Sequence, residues 1–401
     1  VESAVVGQVL ALLLVAFVVG LFVRRLFVPY TVALVVAGIG LGFTDLPSGL
    51  TLTSETILIV FLPALLFQAA INLDLRELRE AVLPIVLLAV VGVALSIAII
   101  AGLFALALGV AGVVAVTLAA MLSATDPVAV LAVFKRLGVP KRLEMVVEGE
   151  SLFNDGTALV AFQIAVAGAG SAQASIPAGI GQFCLTVAGG LLLGAAAGFA
   201  FSHLLALTSD HLFEMGFSTV LAYGTYLVGE ALHVSPVIAV VTAGIVLGNY
   251  GRNVGLSERA RVVVMDIWEY LAFIANSVIF LLIGQQVHTL DYASYALPSA
   301  LAVALVLISR AVVVYGLAPV VSKLERHVPL SWRHVAFWGG LRGALAVAMV
   351  LSLPHSFPQR DMLVSATFSV VLFTILIQGV SMEHLVRVLN IRESPRNAAG
   401  D

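Results

Sequence analysis

Glu150, Ser151, Asn154 and Asp155 stand together in the stretch Glu148-Gly149-Glu150-Ser151-Leu152-Phe153-Asn154-Asp155-Gly156, inside a long apolar run. Ser151 and Asp155 are four apart, as are Glu150 and Asn154, so a helix presents two adjacent polar stripes on one side. One stripe pairs a hydroxyl with a carboxylate. Oxygen donors of this kind suit a hard cation, and a carboxylate can hold a proton instead. Asn154, a neutral amide, reads equally as a ligand or as a packing and hydrogen-bonding residue. A second polar interruption, Thr125-Asp126-Pro127, reads first as a helix restart. Asp126 is placed to serve the free amides, Pro127 takes the first helical position, and unwound Thr125 has oxygens to offer a cation. The candidate cation set is therefore Asp155, Ser151, Thr125, Asp126 and Asn154. Arg310 keeps its proton at any accessible pH and needs an acid. Glu150 is the preferred partner, which reserves Asp155 for the proton; if Arg310 pairs with Asp155, that role moves to Glu150. Arg342, within Gly339-Gly340-Leu341-Arg342-Gly343, is suited to placing positive charge near the carbonyl ends of broken helices.

What makes these residues unusual is their setting. Of 401 residues 61% are hydrophobic and 11% charged, against about 25% charged in soluble domains. A charge at the centre of a bilayer costs at least about 2.5 to 3.5 kcal/mol. The apolar runs predict an all-α polytopic membrane protein with about thirteen spans. They cover 3 to 23, 29 to 43, 54 to 71, 82 to 108, 111 to 134, 144 to 168, 177 to 206, 212 to 232, 235 to 249, 265 to 287, 296 to 322, 334 to 353 and 362 to 386. The second and ninth are short for full crossings. The first is long for a cleavable signal and reads as a retained span. Segment 252 to 266, alternating basic and apolar residues, reads as an interfacial helix.

Basic residues test the count. With the N-terminus outside, the cytoplasmic connections hold Arg24, Arg25, Arg76, Arg79, Lys135, Arg136, Lys141, Arg142, Arg252, Arg259, Arg261, Lys323, Arg326 and Arg333, and the tail adds Arg387, Arg392 and Arg396. These are 17 of the 20 Lys and Arg, with Arg360 alone outside and Arg310 and Arg342 within spans. That asymmetry is what the positive-inside rule requires. A net charge of −3 gives no basic face for nucleic acid, and the single cysteine, Cys184, excludes an intramolecular disulfide framework. The eight His fall mostly at span ends or connections, among them His211, His233, His327 and His355, and no H-E-x-x-H pair occurs.

An odd number of spans with an Ala/Gly-rich seventh predicts two inverted six-helix repeats, 1–168 and 212–390, joined by a linker helix at 177–206 and followed by a short cytoplasmic tail at 391–401. Gly/Pro-interrupted spans at matching places in both halves point to the site of a secondary transporter. Here they are the fifth span, at Thr125-Asp126-Pro127, and the twelfth, at Gly339 to Gly343.

At these residues the chain resembles the bacterial NhaP branch of the sodium/proton antiporters, related to the animal sodium/proton exchangers. The matching stretches are Ala124-Thr125-Asp126-Pro127, Gly149 through Asp155, Arg310 in its apolar span, and Gly339-Gly340-Leu341-Arg342-Gly343. The resemblance runs in order through almost the whole chain. It implies an NhaA-like fold with two crossed discontinuous helices in a core domain, a dimerisation domain and hence a homodimer in the cell membrane. It also implies that Asp155 exchanges one cation for one proton, with Thr125 and Ser151 as oxygen neighbours and Glu150 paired to Arg310. The chain departs at Leu62-Pro63-Ala64-Leu65-Leu66-Phe67-Gln68-Ala69-Ala70, where many relatives carry an acid in place of Gln68. An amide offers a carbonyl oxygen but no charge.

The function expected is electroneutral exchange of one monovalent cation for H+. Na+ is favoured, with Li+ or K+ as alternatives, and no cofactor is expected. The rival within transport is a sodium-coupled organic anion symporter. An intramembrane hydrolase lacks a convincing Ser/His pair or metal motif, so the chain reads as a transporter and not an enzyme.

Overall fold

In the computed structural model, residues 2–23, 28–43, 53–169, 176–324 and 328–391 are described, and all regular structure among them is helical. Arg24, Arg25, Arg326, His327, Arg392 and Arg396, and all but the first residue of the tail 391–401, lie outside the described residues. In chain order the helices are α1 (Glu2–Val23), α2 (Tyr30–Gly42), α3 (Thr56–Asn72), α4 (Leu75–Glu80), α5 (Val82–Leu108), α6 (Gly112–Met121), α7 (Val128–Leu137) and α8 (Lys141–Gly168). Then come α9 (Ile176–Leu205), α10 (His211–Ala231), α11 (Pro236–Val254), α12 (Glu258–Gln286), α13 (Ala296–Leu324), α14 (Leu330–Trp338), α15 (Ala344–Leu351) and α16 (Arg360–Val388).

Local chemistry sets these ends. Gly109 and Gly138 follow α5 and α7 in the left-handed region, at φ 65° and 64°, where a side chain would be strained. Asp210 accepts from the Leu212 amide at 2.9 Å to start α10. Ser235 caps α11 by accepting from Ile238 at 3.3 Å, with Pro236 in the first turn. Among the described residues six helices, α5, α9, α11, α12, α13 and α16, have both the length and the hydropathy for a crossing; α1, α2, α3 and α6 are shorter apolar helices. α8 is not among them, and it is the helix with Glu144, Glu148, Glu150 and Asp155. In the short ninth span a π turn at Leu247–Gly251 carries the helix on to Val254. Segment 252 to 266 differs from the expected interfacial helix: it ends α11, breaks at 255–257 and then opens the long α12. The break is held by buried Glu214, whose carboxylate accepts the Ser257 amide at 2.9 Å and its hydroxyl at 2.7 Å.

The chain forms two compact units, and each draws on both halves of the sequence. The first comprises Val1–Ser54, Ala81–Asn154 and Ser277–Asp401. In it α13 packs against α5 and α16. α2 approaches the end of α12 so closely that a methyl on Gly38 would strike the Leu281 carbonyl, and one on Gly284 the Val35 carbonyl.

The second unit comprises Glu55–Glu80 and Asp155–Asn276. Here α11 packs against α3 and α9. Small residues make the α9 contact: a side chain on Gly190 would meet Ser235 O at 2.7 Å, and one on Gly198 would meet Val246 Cβ at 2.7 Å. Asn249 clamps the end of α3, donating to Leu73 O at 2.9 Å and accepting from the Leu75 amide at 2.8 Å. Phe67 and Trp268 pack with ring centroids 4.6 Å apart, and Trp268 donates to Ser218 at 3.1 Å. The boundary between the units runs through α8, between Asn154 and Asp155, and through α12.

Candidate functional site

Two breaks meet in the first unit. The chain unwinds between α6 and α7 and again between α14 and α15, and the two stretches cross, the Asp126 amide donating to the Leu341 carbonyl at 2.8 Å. Gly343 makes the crossing close enough, since a methyl there would collide with the Asp126 carboxylate. Each break leaves one helix C-terminus with unsatisfied carbonyls and one N-terminus with unsatisfied amides. Side chains of matching sign occupy both. Arg342, 1% exposed, donates from Nε to Leu122 O at 2.7 Å, just past α6, and from Nη1 to Gly340 O, just past α14. Asp126 accepts the Val128 amide at 3.0 Å at the start of α7, and its carboxylate lies against Gly343 at the start of α15. The cation thus sits at two negative dipole ends and the anion at two positive ones.

Thr125 is tied to α8. Its amide donates to Asn154 Oδ1 at 3.2 Å, and its hydroxyl oxygen accepts from Asn154 Nδ2 at 2.7 Å. Ser151 Oγ donates to the Thr125 carbonyl and lies 3.4 Å from the Thr125 hydroxyl. All three side chains are buried. A carbonyl or hydroxyl oxygen carries two lone pairs, so this knot of oxygens has acceptor capacity beyond the bonds it makes. Asp155, half-buried, follows Asn154 on the same continuous helix and stands one turn after Ser151.

Glu150, 2% exposed, faces Arg310, 7% exposed, in a bidentate ion pair, with Nη2 to Oε2 at 3.0 Å and Nη1 to Oε1 the shorter contact. Arg310 also donates to the Ala336 carbonyl from Nε at 3.2 Å and from Nη2 at 2.8 Å. It therefore joins α13 to both α8 and the last turn of α14. Gly340 separates the two arginines: a Cβ there would stand 2.7 Å from Arg310 Nε and 3.0 Å from Arg342 Nη1. Among the sequence candidates, the fold gathers Thr125, Asp126, Glu150, Ser151, Asn154, Arg310 and Arg342 in the first unit. Gln68, half-buried on α3, belongs to the second.

Some contributors escaped the sequence reading. Thr374, in a π turn of α16, accepts the Arg342 amide at 3.0 Å; one threonine in an apolar run carries no signal. Buried Glu383 pairs with Arg136 at the end of α7 and with Arg387, whose Nη2 is 2.6 Å away. The i,i+4 spacing of Glu383 and Arg387 was visible in the sequence, but not the link to Arg136.

A family model described as sodium/hydrogen exchanger, transmembrane, matches residues 13–388. A Na+/H+ antiporter of Aphanothece halophytica, ApNhaP, is 40% identical over 91% of this chain and 70% of its own length. The Na+/H+ antiporter NhaH of Halobacillus dabanensis is 37% identical over 96% of this chain and 98% of its own. Among solved structures, that of the sodium proton antiporter MjNhaP1 from Methanocaldococcus jannaschii matches with a TM-score of 0.79. The match covers 97% of this chain and 99% of that one at 18% identity, a likeness of fold.

Proposed function

The chain belongs to the transmembrane sodium/hydrogen exchanger family, and on that footing we propose that it is a secondary active antiporter exchanging Na+ for H+ one for one, with competition at Asp155. The observation that carries the assignment is the unwound Thr125 held by Ser151 and Asn154 on α8, the helix that carries Asp155 one turn after Ser151. Glu150 is committed to Arg310, while Asp126 and Arg342 lie at the helix ends of the crossing. Asp155, one turn after Ser151 on the same helix, is the acid that trades a proton for a cation.

Proton and cation exclude each other on one carboxylate, and competition requires comparable affinities at the working pH. If the loaded site crosses only when its charge is satisfied, the two fluxes are locked together. Asn154 holds Thr125 in place rather than adding a second acid, which keeps the exchange electroneutral. Gln68 likewise adds no charge to that of Asp155. Li+ competes as a smaller ion and K+ as a poorer one. The protein takes no cofactor and catalyses no covalent chemistry. It lies in the cell membrane as a homodimer of two inverted six-helix repeats per chain, about thirteen spans, with the N-terminus outside and the C-terminus in the cytoplasm. The relatives named above are antiporters, and nothing observed favours an organic anion symporter.

Proteoliposomes with an internal pH dye test the assignment. A Na+ gradient should drive proton movement in the parent and at least about 100-fold less in Asp155→Asn, with Li+ and K+ as comparison ions. Undiminished exchange in that variant overturns the role of Asp155.

A further inference from the structure

A groove opens in the first unit between α5, α8, α13 and α14. Its walls are apolar, formed by residues such as Leu88, Val314, Leu317 and Val321. Three residues differ from the rest of the lining: Arg142, Trp332 and Arg333, and no acid among the described residues lines it. Arg142 opens α8 beside Lys141, and Arg333 begins α14, so both belong to the basic connections that the charge asymmetry places on the cytoplasmic side. Arg333 donates its Nε to Val328 O at 3.1 Å, and its two terminal nitrogens make no further hydrogen bond among the described residues. An apolar channel between membrane helices, with two guanidiniums and an indole at one end, matches one occupant in charge and polarity. Acyl chain fills the channel, phosphate meets the arginines, and the tryptophan sits at headgroup level.

We infer that this groove is a binding site for an anionic phospholipid of the inner leaflet. Neutral phosphatidylcholine carries a phosphate but also a fixed cation, which two arginines disfavour. The groove is also lined by Ala336, whose carbonyl receives Arg310, and by Val146, which lies on α8 one turn before Glu150. A seated lipid therefore packs against the residues that hold the Glu150–Arg310 tie. The site stands apart from the exchange assignment, and its test reads binding rather than transport.

The probe is tryptophan quenching in phosphatidylcholine nanodiscs doped with phosphatidylglycerol brominated on its acyl chain. At equal mole fraction, brominated phosphatidylglycerol should quench at least about twofold more than brominated phosphatidylcholine. The excess should vanish in Trp332→Phe, which removes the reporter, and in the double variant Arg142→Gln with Arg333→Gln. It should also vanish in Ala318→Phe, which fills the groove and keeps both arginines, while Arg142→Lys with Arg333→Lys should retain part of it. Equal quenching by the two lipids overturns the proposal. So does an excess that survives Trp332→Phe or Ala318→Phe, or one abolished by millimolar glycerol phosphate, which would mark a site for soluble phosphate.

Discussion

Replacing Glu150 by Gln should damage the protein more through what it leaves behind than through the bond it removes. Arg310 and Arg342 flank the same point beside Gly340, at 2.7 and 3.0 Å, so those nitrogens are at most about 6 Å apart. At an effective dielectric of about 20, two like charges at that separation repel by about 3 kcal/mol. Both side chains are over nine-tenths buried, so solvent screens little of this. Loss of one member of a buried pair typically costs about 3 to 5 kcal/mol, because Glu150 no longer offsets this repulsion. Arg310→Gln should cost a similar amount, because it strands Glu150 and frees the Ala336 carbonyl. The double variant removes the stranded charges and should recover at least half of the larger single loss. Thermal unfolding of the four proteins in one mild detergent gives the coupling energy directly. A coupling below about 1 kcal/mol would refute the tie. A stronger coupling of Arg310 to Asp155, measured with Asp155→Asn in the same cycle, would assign the proton-carrying role to Glu150.

Other outcomes follow from the same geometry. Gly343→Ala pushes a methyl into the Asp126 carboxylate and should lower stability by about 1 to 3 kcal/mol while abolishing exchange; an unchanged melting temperature would count against the crossing as described. Arg342→Met leaves the Leu122 and Gly340 carbonyls without their donor, each an expected loss of about 1 to 3 kcal/mol, and Arg342→Lys should restore part of it. Asn154→Asp removes the Nδ2 donor to Thr125 and adds a second carboxylate beside Asp155. Its exchange should become sensitive to a potassium diffusion potential, and insensitivity would detach Asn154 from electroneutrality.

Composition and period alone settle the class of this chain. A residue set that is 61% apolar and 11% charged must bury its backbone in helices within lipid, so the all-helical membrane fold is legible without coordinates. Breaks at Thr125-Asp126-Pro127 and at Gly339 to Gly343 are also legible, because proline and paired glycines interrupt helices wherever they fall. Helix ends moved by local chemistry that hydropathy does not register, as at Ser257, where a carboxylate distant in sequence supplies the cap.

The sequence favoured Glu150 as the partner of Arg310 without fixing it. Arg310 had two acids within reach on α8, five positions apart and on adjoining faces of the helix, and spacing along one helix says nothing about which faces another. In the folded chain Glu150 lies across its guanidinium, and the Ala336 carbonyl accepts from Nε and Nη2. Arg342 is similar: its charge type suited a helix end, but only the crossing brought the ends of both α6 and α14 to one guanidinium. Sequence sets which groups lipid cannot leave bare, because that cost belongs to each residue alone. Tertiary structure selects the group that answers each one, because hydrogen bonds and ion pairs depend on distances between segments remote along the chain.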